Sequence, residues 1–466
     1  MKALLKDPLV LVLLFAAGVI YFLVVFNYLG KNNKYTDLLE KFYICTFLII
    51  IAGESGVAIN SLTKLHPRTI LVHNVTPPTV VGQIGIYACA LLLLTPRFRY
   101  TLRNLIQNFS ALIIRDPFIS TFLLLIILSV FWSDTPKITL KYAVIYLEIA
   151  FFAFYVGQQY TWTGIFQLAR WSGLALAGFS FLMNKTDGNG AWIGILGHKN
   201  HFCFQMLFVA LLWFIYSLYN PKQRRLSLFI VALSLFMMNM GGSGAAKVIF
   251  ICLFALWFYL GFAKMLPAQW AFVSVVLFLI VSICLTIVVT ENLEFIVVDT
   301  LNKDLTLTGR TDFWPLIIKE INKRPLLGYG IGGFWQAWRG SNDPASQVIV
   351  IKSQFRPPHS HNGFMDIACD LGYLGLVLFI LSFIVSVAKA VTYLNQAKMP
   401  QAGLPLLILS FILMTNLTET GLLGVTSIWF WYMVVAVRTS LDASTAASRQ
   451  KVSSYPIKRQ LPAPYR

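Results

Sequence analysis

Four of the six histidines in this chain fall into two short polar clusters, and a third cluster sets an arginine at the start of a helix. The first, Gly197-His198-Lys199-Asn200-His201, stands at the mouth of a long apolar run. A lysine and imidazoles there can hold an anion, or can anchor the end of the run at an interface with the lysine reaching to water. The second, His359-Ser360-His361-Asn362-Gly363, opens another apolar run, in which His361, Met365, Ala368, Gly372 and Gly375 recur at spacings of 4, 3, 4 and 3. Such spacing makes one stripe of an α-helix, and the glycines on it predict the close approach of a second helix. His361 caps the seam. An imidazole with an unperturbed pKa near ~6.5 is suited to taking a proton at neutral pH.

The third cluster, Gly309-Arg310-Thr311-Asp312-Phe313-Trp314-Pro315, leads into an amphipathic helix ended by Pro325. Phe313, Leu316, Ile317 and Ile321 form its apolar stripe, and Pro315 is expected in the first turn. Lys319, Lys323 and Arg324 crowd the C-terminal end, where the dipole favours cations. Arg310 sits at the opposite, electropositive end. An anion there would meet the guanidinium and free backbone N–H groups together; the plainer alternative is a solvated loop arginine.

Other patterns carry less. Gly328-Tyr329-Gly330-Ile331-Gly332-Gly333 satisfies GxGxxG but follows no strand, so a nucleotide site is not expected. Asp366 and Asp370, four residues apart, could imitate a glycosidase pair; near a lipid boundary they are expected to pair with basic neighbours instead. The HxxH and HxH pairs could together make a zinc site, but they lack an HExxH context and a nearby cysteine, so no metal is assigned to them. The six cysteines (Cys45, Cys89, Cys203, Cys252, Cys284 and Cys369) lie within or beside apolar runs and read as small buried hydrophobes.

Composition says what scaffold must position these groups. The 466 residues are 57% hydrophobic and only 12% charged, with a mean hydropathy of +0.70. A soluble enzyme, a disordered regulator and a secreted disulfide scaffold are thereby excluded. An all-α, polytopic membrane protein remains, because long apolar runs satisfy their backbone in lipid only as helices. Spans are expected at about 8–29, 43–62, 78–95, 116–132, 138–157, 163–183, 200–219, 226–241, 245–263, 269–290, 370–394, 404–418 and 421–437. The first run is too long for a cleaved signal, and the run at 43–62, with Glu54, is the one expected to cross incompletely, giving twelve or thirteen spans.

The net charge of +18 comes mainly from short segments between the runs, as positive-inside topology requires, so membrane lipids rather than nucleic acid are the expected partner. That topology puts 184–199, 241–245 and 291–369 on the outer face. The chain divides into an N-terminal bundle (1–290), a large outer loop (291–369), C-terminal membrane helices (370–437) and a flexible basic tail (438–466).

In this order on a polytopic chain, the three clusters resemble the O-antigen ligase/O-antigen polymerase family of bacterial envelope glycosyltransferases, which are GT-C-like membrane proteins. His361-Asn362, nine residues, then Gly372-Tyr373-Leu374-Gly375 is similar to the family's C-terminal element. Gly309-Arg310 with Trp314 and Pro325-Leu326-Leu327-Gly328-Tyr329-Gly330 resembles its outer-loop signature. Gly197-His198-Lys199-Asn200 resembles a motif of polymerase-type members, and Phe131-Trp132-Ser133 before Pro136 is a weaker likeness. The resemblance covers about 130 to 437.

It implies transfer of a saccharide from an undecaprenyl-diphosphate donor to a sugar hydroxyl, either lipid A–core or a lipid-linked unit. The implied place is the periplasmic face of the bacterial inner membrane, without metal or cofactor and alongside polysaccharide export or assembly proteins. Arg310 and Lys199 then serve the leaving diphosphate, His361 is the base, and Asn362 orients it or a substrate hydroxyl. Asn200, Arg356 and His198 join the substrate site, with Arg339, His201 and His359 around it. Ligase-type members tend to carry arginine where Lys199 stands, which leans toward a polymerase. The rival reading is a transporter or flippase for a lipid-linked or anionic solute, which calls for mid-bilayer charges, broken helices and a two-fold sequence echo.

Overall fold

The computed structural model describes scattered positions between 16 and 28 and residues 34–52, 113–301, 310–349, 356–397, 399–422 and 427–453. In chain order its α-helices are α1 (Lys34–Ala52), α2 (Pro117–Leu128), α3 (Pro136–Gln159), α4 (Trp162–Met183), α5 (Lys199–Tyr219) and α6 (Arg224–Gly241). They continue as α7 (Gly244–Ala263), α8 (Ala268–Leu301), α9 (Arg310–Ile321), α10 (Gly363–Gln396), α11 (Leu404–Thr418) and α12 (Ser427–Ser453). Among the described residues the one β feature is a lone bridge between Thr186 and Trp192.

Eight described helices are long and apolar enough to cross a membrane. The protein is an all-α polytopic membrane protein. The expected run at 78–95 lies outside the described residues, as do nearly all of 8–29 and Glu54 with the second half of 43–62. The run at 116–132 is a shorter apolar helix, α2, finished by a 3-10 turn at Ser129–Phe131.

The helices are not equally central. In α11, 83% of the apolar window is buried and in α5, 72%, against 28% in α8. Ring contacts hold the centre: Phe208 of α5 stacks 4.7 Å from Phe411 of α11, and Phe379 of α10 lies tilted 4.9 Å from Tyr432 of α12. Such aromatic pairs add to the burial of their area. The weakly buried helices leave Trp270, Leu277 and Phe258 exposed, as lipid-facing positions should be.

The two ends of this bundle differ. At one end Arg115 and Lys389 bond to Ser440, Lys264 to the Ala397 carbonyl, and Arg438 to Asp442. The tail expected to be flexible from 438 instead continues α12 to Ser453. Its first turns are held by the Arg438–Asp442 pair and by the Trp162 indole donating to Asp442 at 2.8 Å. The histidines gather at the other end, where the segment before α5 meets the end of α6 through Trp192 N–H and the Met240 carbonyl, 3.1 Å.

The helix α9 starts at Arg310, earlier than expected, so Pro315 lies inside it rather than in its first turn. Phe313, Ile317 and Ile321 are buried against Ala368 and Cys369 of α10. That packing of a proline-containing helix is tertiary, not a matter of propensity.

Candidate active site

The glycines of the two motifs, Gly328 and Gly372, explain each other. The helix α10 is broken at Gly372, whose φ of 68° and ψ of −175° are non-helical. A break in a membrane helix frees backbone groups that lipid cannot satisfy. Residues 325–330 satisfy them: Tyr329 N–H donates to the Cys369 carbonyl (3.1 Å) and Gly330 N–H to that of Asp370 (2.8 Å). In return Tyr373 N–H donates to the Pro325 carbonyl (2.7 Å) and Leu374 N–H to that of Leu326 (3.2 Å). A Cβ on Gly372 would stand 2.2 Å from the Leu326 oxygen, and one on Gly328 2.6 Å from the Asp370 carbonyl carbon. Both positions therefore require glycine.

Gly372 thus receives a turn of the chain, residues 325–330, not the second helix expected from the stripe. Gly375 does face a helix: its Cβ would lie 3.5 Å from Leu125 of α2.

The carboxylates beside this clamp bind neutral donors, not the basic neighbours expected for them. Asp370 accepts from Gly332 N–H (2.8 Å) and Phe334 N–H (3.3 Å). Asp366 accepts from the Trp335 indole (2.9 Å), Ser360 N–H (3.2 Å) and the Thr420 hydroxyl. Together they fix the Gly-rich turn onto α10. A cavity of about 410 Å³ opens nearby, lined by Trp132, Asp134, Arg324 and residues 325–328, but none of the histidines lines it.

The second polar centre lies where α5, α10 and α11 begin or end. Glu419, just past α11 and 2% exposed, accepts at Oε1 from His361 Nδ1 at 2.8 Å. Its Oε2 accepts from Asn200 Nδ2 at 2.8 Å, and His359 Nδ1 lies 3.5 Å from Oε1. Burial works to raise the Glu419 carboxyl, but the hydrogen bond from His361 and the charges of His361 and His359 hold it well below the carboxylate range. Burial pushes the His359 imidazole down to about 3 against the pull of Glu419.

His361 itself has φ +54°, a left-handed backbone rare outside glycine. Its N–H donates to His359 Nδ1 (3.2 Å), and the flanking Ser360 and Asn362 close the turn. A strained side-chain-bearing residue is held there only by surroundings that over-determine it.

The remaining sequence candidates are distributed as follows. Lys199 is the first residue of α5 and makes no hydrogen bond or ion pair among the described residues; His198 caps that helix, its Nδ1 accepting from Asn200 N–H at 3.3 Å. Phe313, one turn into α9 from Arg310, has its ring 6.3 Å from that of His361, and the Trp314 indole donates to the Ser360 carbonyl at 3.0 Å. The first turn of α9 therefore stands beside the histidines; the Arg310 side chain lies outside the described residues. Asn362 does not orient His361: its Oδ1 caps α10, accepting from Phe364 and Met365 N–H. Arg356 is tied to buried Asp343, and Arg339 bonds to Gln336 with Asp134 at 3.8 Å. His201 lies beside His198, ring to ring at 5.5 Å.

Sequence reasoning missed Glu419. The available signal was a lone acid between two apolar runs, on the side of the chain where the basic loops are absent.

Residues 226–380 match a family described as O-antigen ligase. The matched residues include Arg310, His361 and Gly372 but end before Glu419 and begin after Lys199. The chain is also similar to the exopolysaccharide production protein ExoQ of Rhizobium meliloti (strain 1021), at 30% identity over 83 residues. That alignment spans 18% of this chain and 19% of the relative.

Proposed function

We propose that the protein is a membrane glycosyltransferase of the polysaccharide-polymerase type, acting on the outer face of a bacterial inner membrane. The bundle's basic end is then cytoplasmic, by the positive-inside bias, and its histidine end periplasmic. The donor is a saccharide on undecaprenyl diphosphate; the acceptor is a sugar hydroxyl of the next lipid-linked unit. The similarity to an exopolysaccharide production protein, and Lys199 at the position where ligase-type members tend to carry arginine, favour polymer growth over transfer to lipid A–core.

The observation that carries the reading is the His361–Glu419 pair at a membrane-helix mouth. With Nδ1–H donated to Glu419, His361 keeps the Nε2 lone pair for a substrate proton. The acceptor oxygen attacks the anomeric carbon and its proton passes to Nε2. The bond from that carbon to the diphosphate oxygen breaks, and the leaving diphosphate carries away the electron pair. Glu419 balances the imidazolium that forms; Lys199 and Arg310 serve the leaving charge. No step requires a metal.

The rival transporter would want a broken helix whose freed backbone groups line a solute cavity. In α10 those groups are occupied by residues 325–330 of the same chain, which removes the feature that favoured it.

The test is transfer from a lipid-diphosphate donor by purified protein in EDTA. His361→Ala and Arg310→Ala are each expected to lose roughly 10²–10⁴-fold in rate. Full activity in either removes that residue's role. In a deletion strain, glycans of a single repeat unit support a polymerase; long chains left on the carrier support a ligase.

A further inference from the structure

The histidine end contains more imidazole than proton transfer uses. One carboxylate and two histidines bring possible donor atoms together: His359 Nδ1, His361 Nδ1 and a Glu419 oxygen lie within 4.8 Å of one another. From this geometry we infer that the mouth is also a zinc site, closed by His359, His361 and Glu419, and that zinc there switches transfer off. The inhibitory half rests on the function proposed above; the binding half does not.

The donor chemistry fits. Two imidazoles and one carboxylate are a set that zinc takes in open, four-coordinate sites, with bonds of about 2.0–2.2 Å. Ligand atoms around a tetrahedral zinc then stand roughly 3.4 Å apart. The His359–Glu419 separation is already 3.5 Å, and the His361–Glu419 separation of 2.8 Å has to open by about half an ångström. His359 Nδ1 accepts a hydrogen bond from the His361 backbone, so it carries a lone pair and not a proton. Asn200, donating to the other Glu419 oxygen at 2.8 Å, is the outer partner that such ligating carboxylates have. The histidine side chains are 20–22% exposed while Glu419 is 2% exposed, so a metal arrives from the polar side and its fourth position faces that side.

The consequence for the reaction follows from His361. On binding, zinc takes Nδ1 of the other neutral tautomer: the proton leaves Nδ1 and Nε2 takes one up from solvent, so Nε2 has no lone pair left for a substrate proton. The hydrogen bond to Glu419 is replaced by two metal bonds, so the carboxylate no longer balances an imidazolium.

The full-length protein in detergent is stripped with EDTA, dialysed and titrated with zinc chloride, and bound metal is counted by atomic absorption; cobalt(II) gives an independent absorption signature. Wild type is expected to bind one zinc per chain at micromolar metal. His359→Ala and the near-isosteric Glu419→Gln are expected to lose it, and Asn200→Ala to weaken it roughly 10–100-fold. Size-exclusion and thermal unfolding identify any variant that fails to fold, in which case His359→Gln replaces it. In parallel, zinc should suppress wild-type transfer, EDTA should restore it, and whatever rate His359→Ala retains should be insensitive to zinc. Wild type that binds zinc no better than folded His359→Ala overturns the site. Zinc that binds without slowing transfer overturns the switch. Because the stoichiometry needs no glycan, a protein that transfers nothing under any condition refutes the proposed function and leaves the zinc result standing.

Discussion

Two groups of buried carboxylates stand within one region of this protein, and their partners differ in kind. Asp366 and Asp370 take hydrogen bonds from backbone N–H groups, an indole and a hydroxyl, none of which titrates near neutrality. Glu419 takes one from His361, a second from the amide of Asn200, and has His359 3.5 Å away. The first arrangement fixes a chain turn against a broken helix. The second holds a base in one tautomer with its other nitrogen available. Burial is common to both, so burial does not distinguish structure from chemistry; the donor type does.

The sharpest way to break this comparison is at Glu419. Glu419→Gln keeps the shape but not the charge, and transfer is expected to fall on the order of 10²-fold through kcat, with KM little changed and Glu419→Asp partly restoring it. Steady-state kinetics on folded protein decide it; an unchanged kcat would move Glu419 to the structural group. Next comes the clamp. Gly372→Ala forces a Cβ to 2.2 Å from the Leu326 oxygen at a φ of 68°, and a loss of stability of at least about 1–3 kcal/mol is expected in thermal unfolding. An unchanged melting temperature would mean the break is not held by residues 325–330.

The smallest effect is on pH dependence. Folded His359 stays neutral down to about 3, whereas the unfolded imidazole protonates near ~6.5, so between those values the unfolded state binds more protons. Stability should therefore rise with pH across that window. The depressed Glu419 carboxyl acts in the same direction at the acid end. His359→Gln should flatten the slope of melting temperature against pH from 4 to 6.5; a wild-type slope of opposite sign would contradict the burial of His359.

Much of this was legible beforehand, for a physical reason. Apolar runs report lipid contact directly, so α3 to α7 and α11 fall within a few residues of their expected positions, α8 begins where expected but runs on to Leu301, and the clusters around His198, Arg310 and His361 do meet at one end. What was not legible depends on pairings between distant segments. Gly372 and Gly375 fit a helical stripe, and nothing in its period shows that residues some forty positions earlier fill a break at Gly372. Arg356 looked available because Asp343 is not its sequence neighbour. Asn362 looked like a partner for His361 because it is adjacent, yet its position at a helix start makes it a cap. Glu419 lies 58 residues from His361, and only the folding of α11 against α10 joins them.

The central claim, that the histidine mouth does chemistry while the neighbouring clamp holds shape, is tested most directly by measuring transfer rate per folded molecule and melting temperature together for His361→Gln and Asp370→Asn. The account predicts that His361→Gln melts with wild type and transfers almost nothing, while Asp370→Asn melts lower and transfers at the wild-type rate per folded molecule. The reverse pattern, or an active His361→Gln, would contradict it.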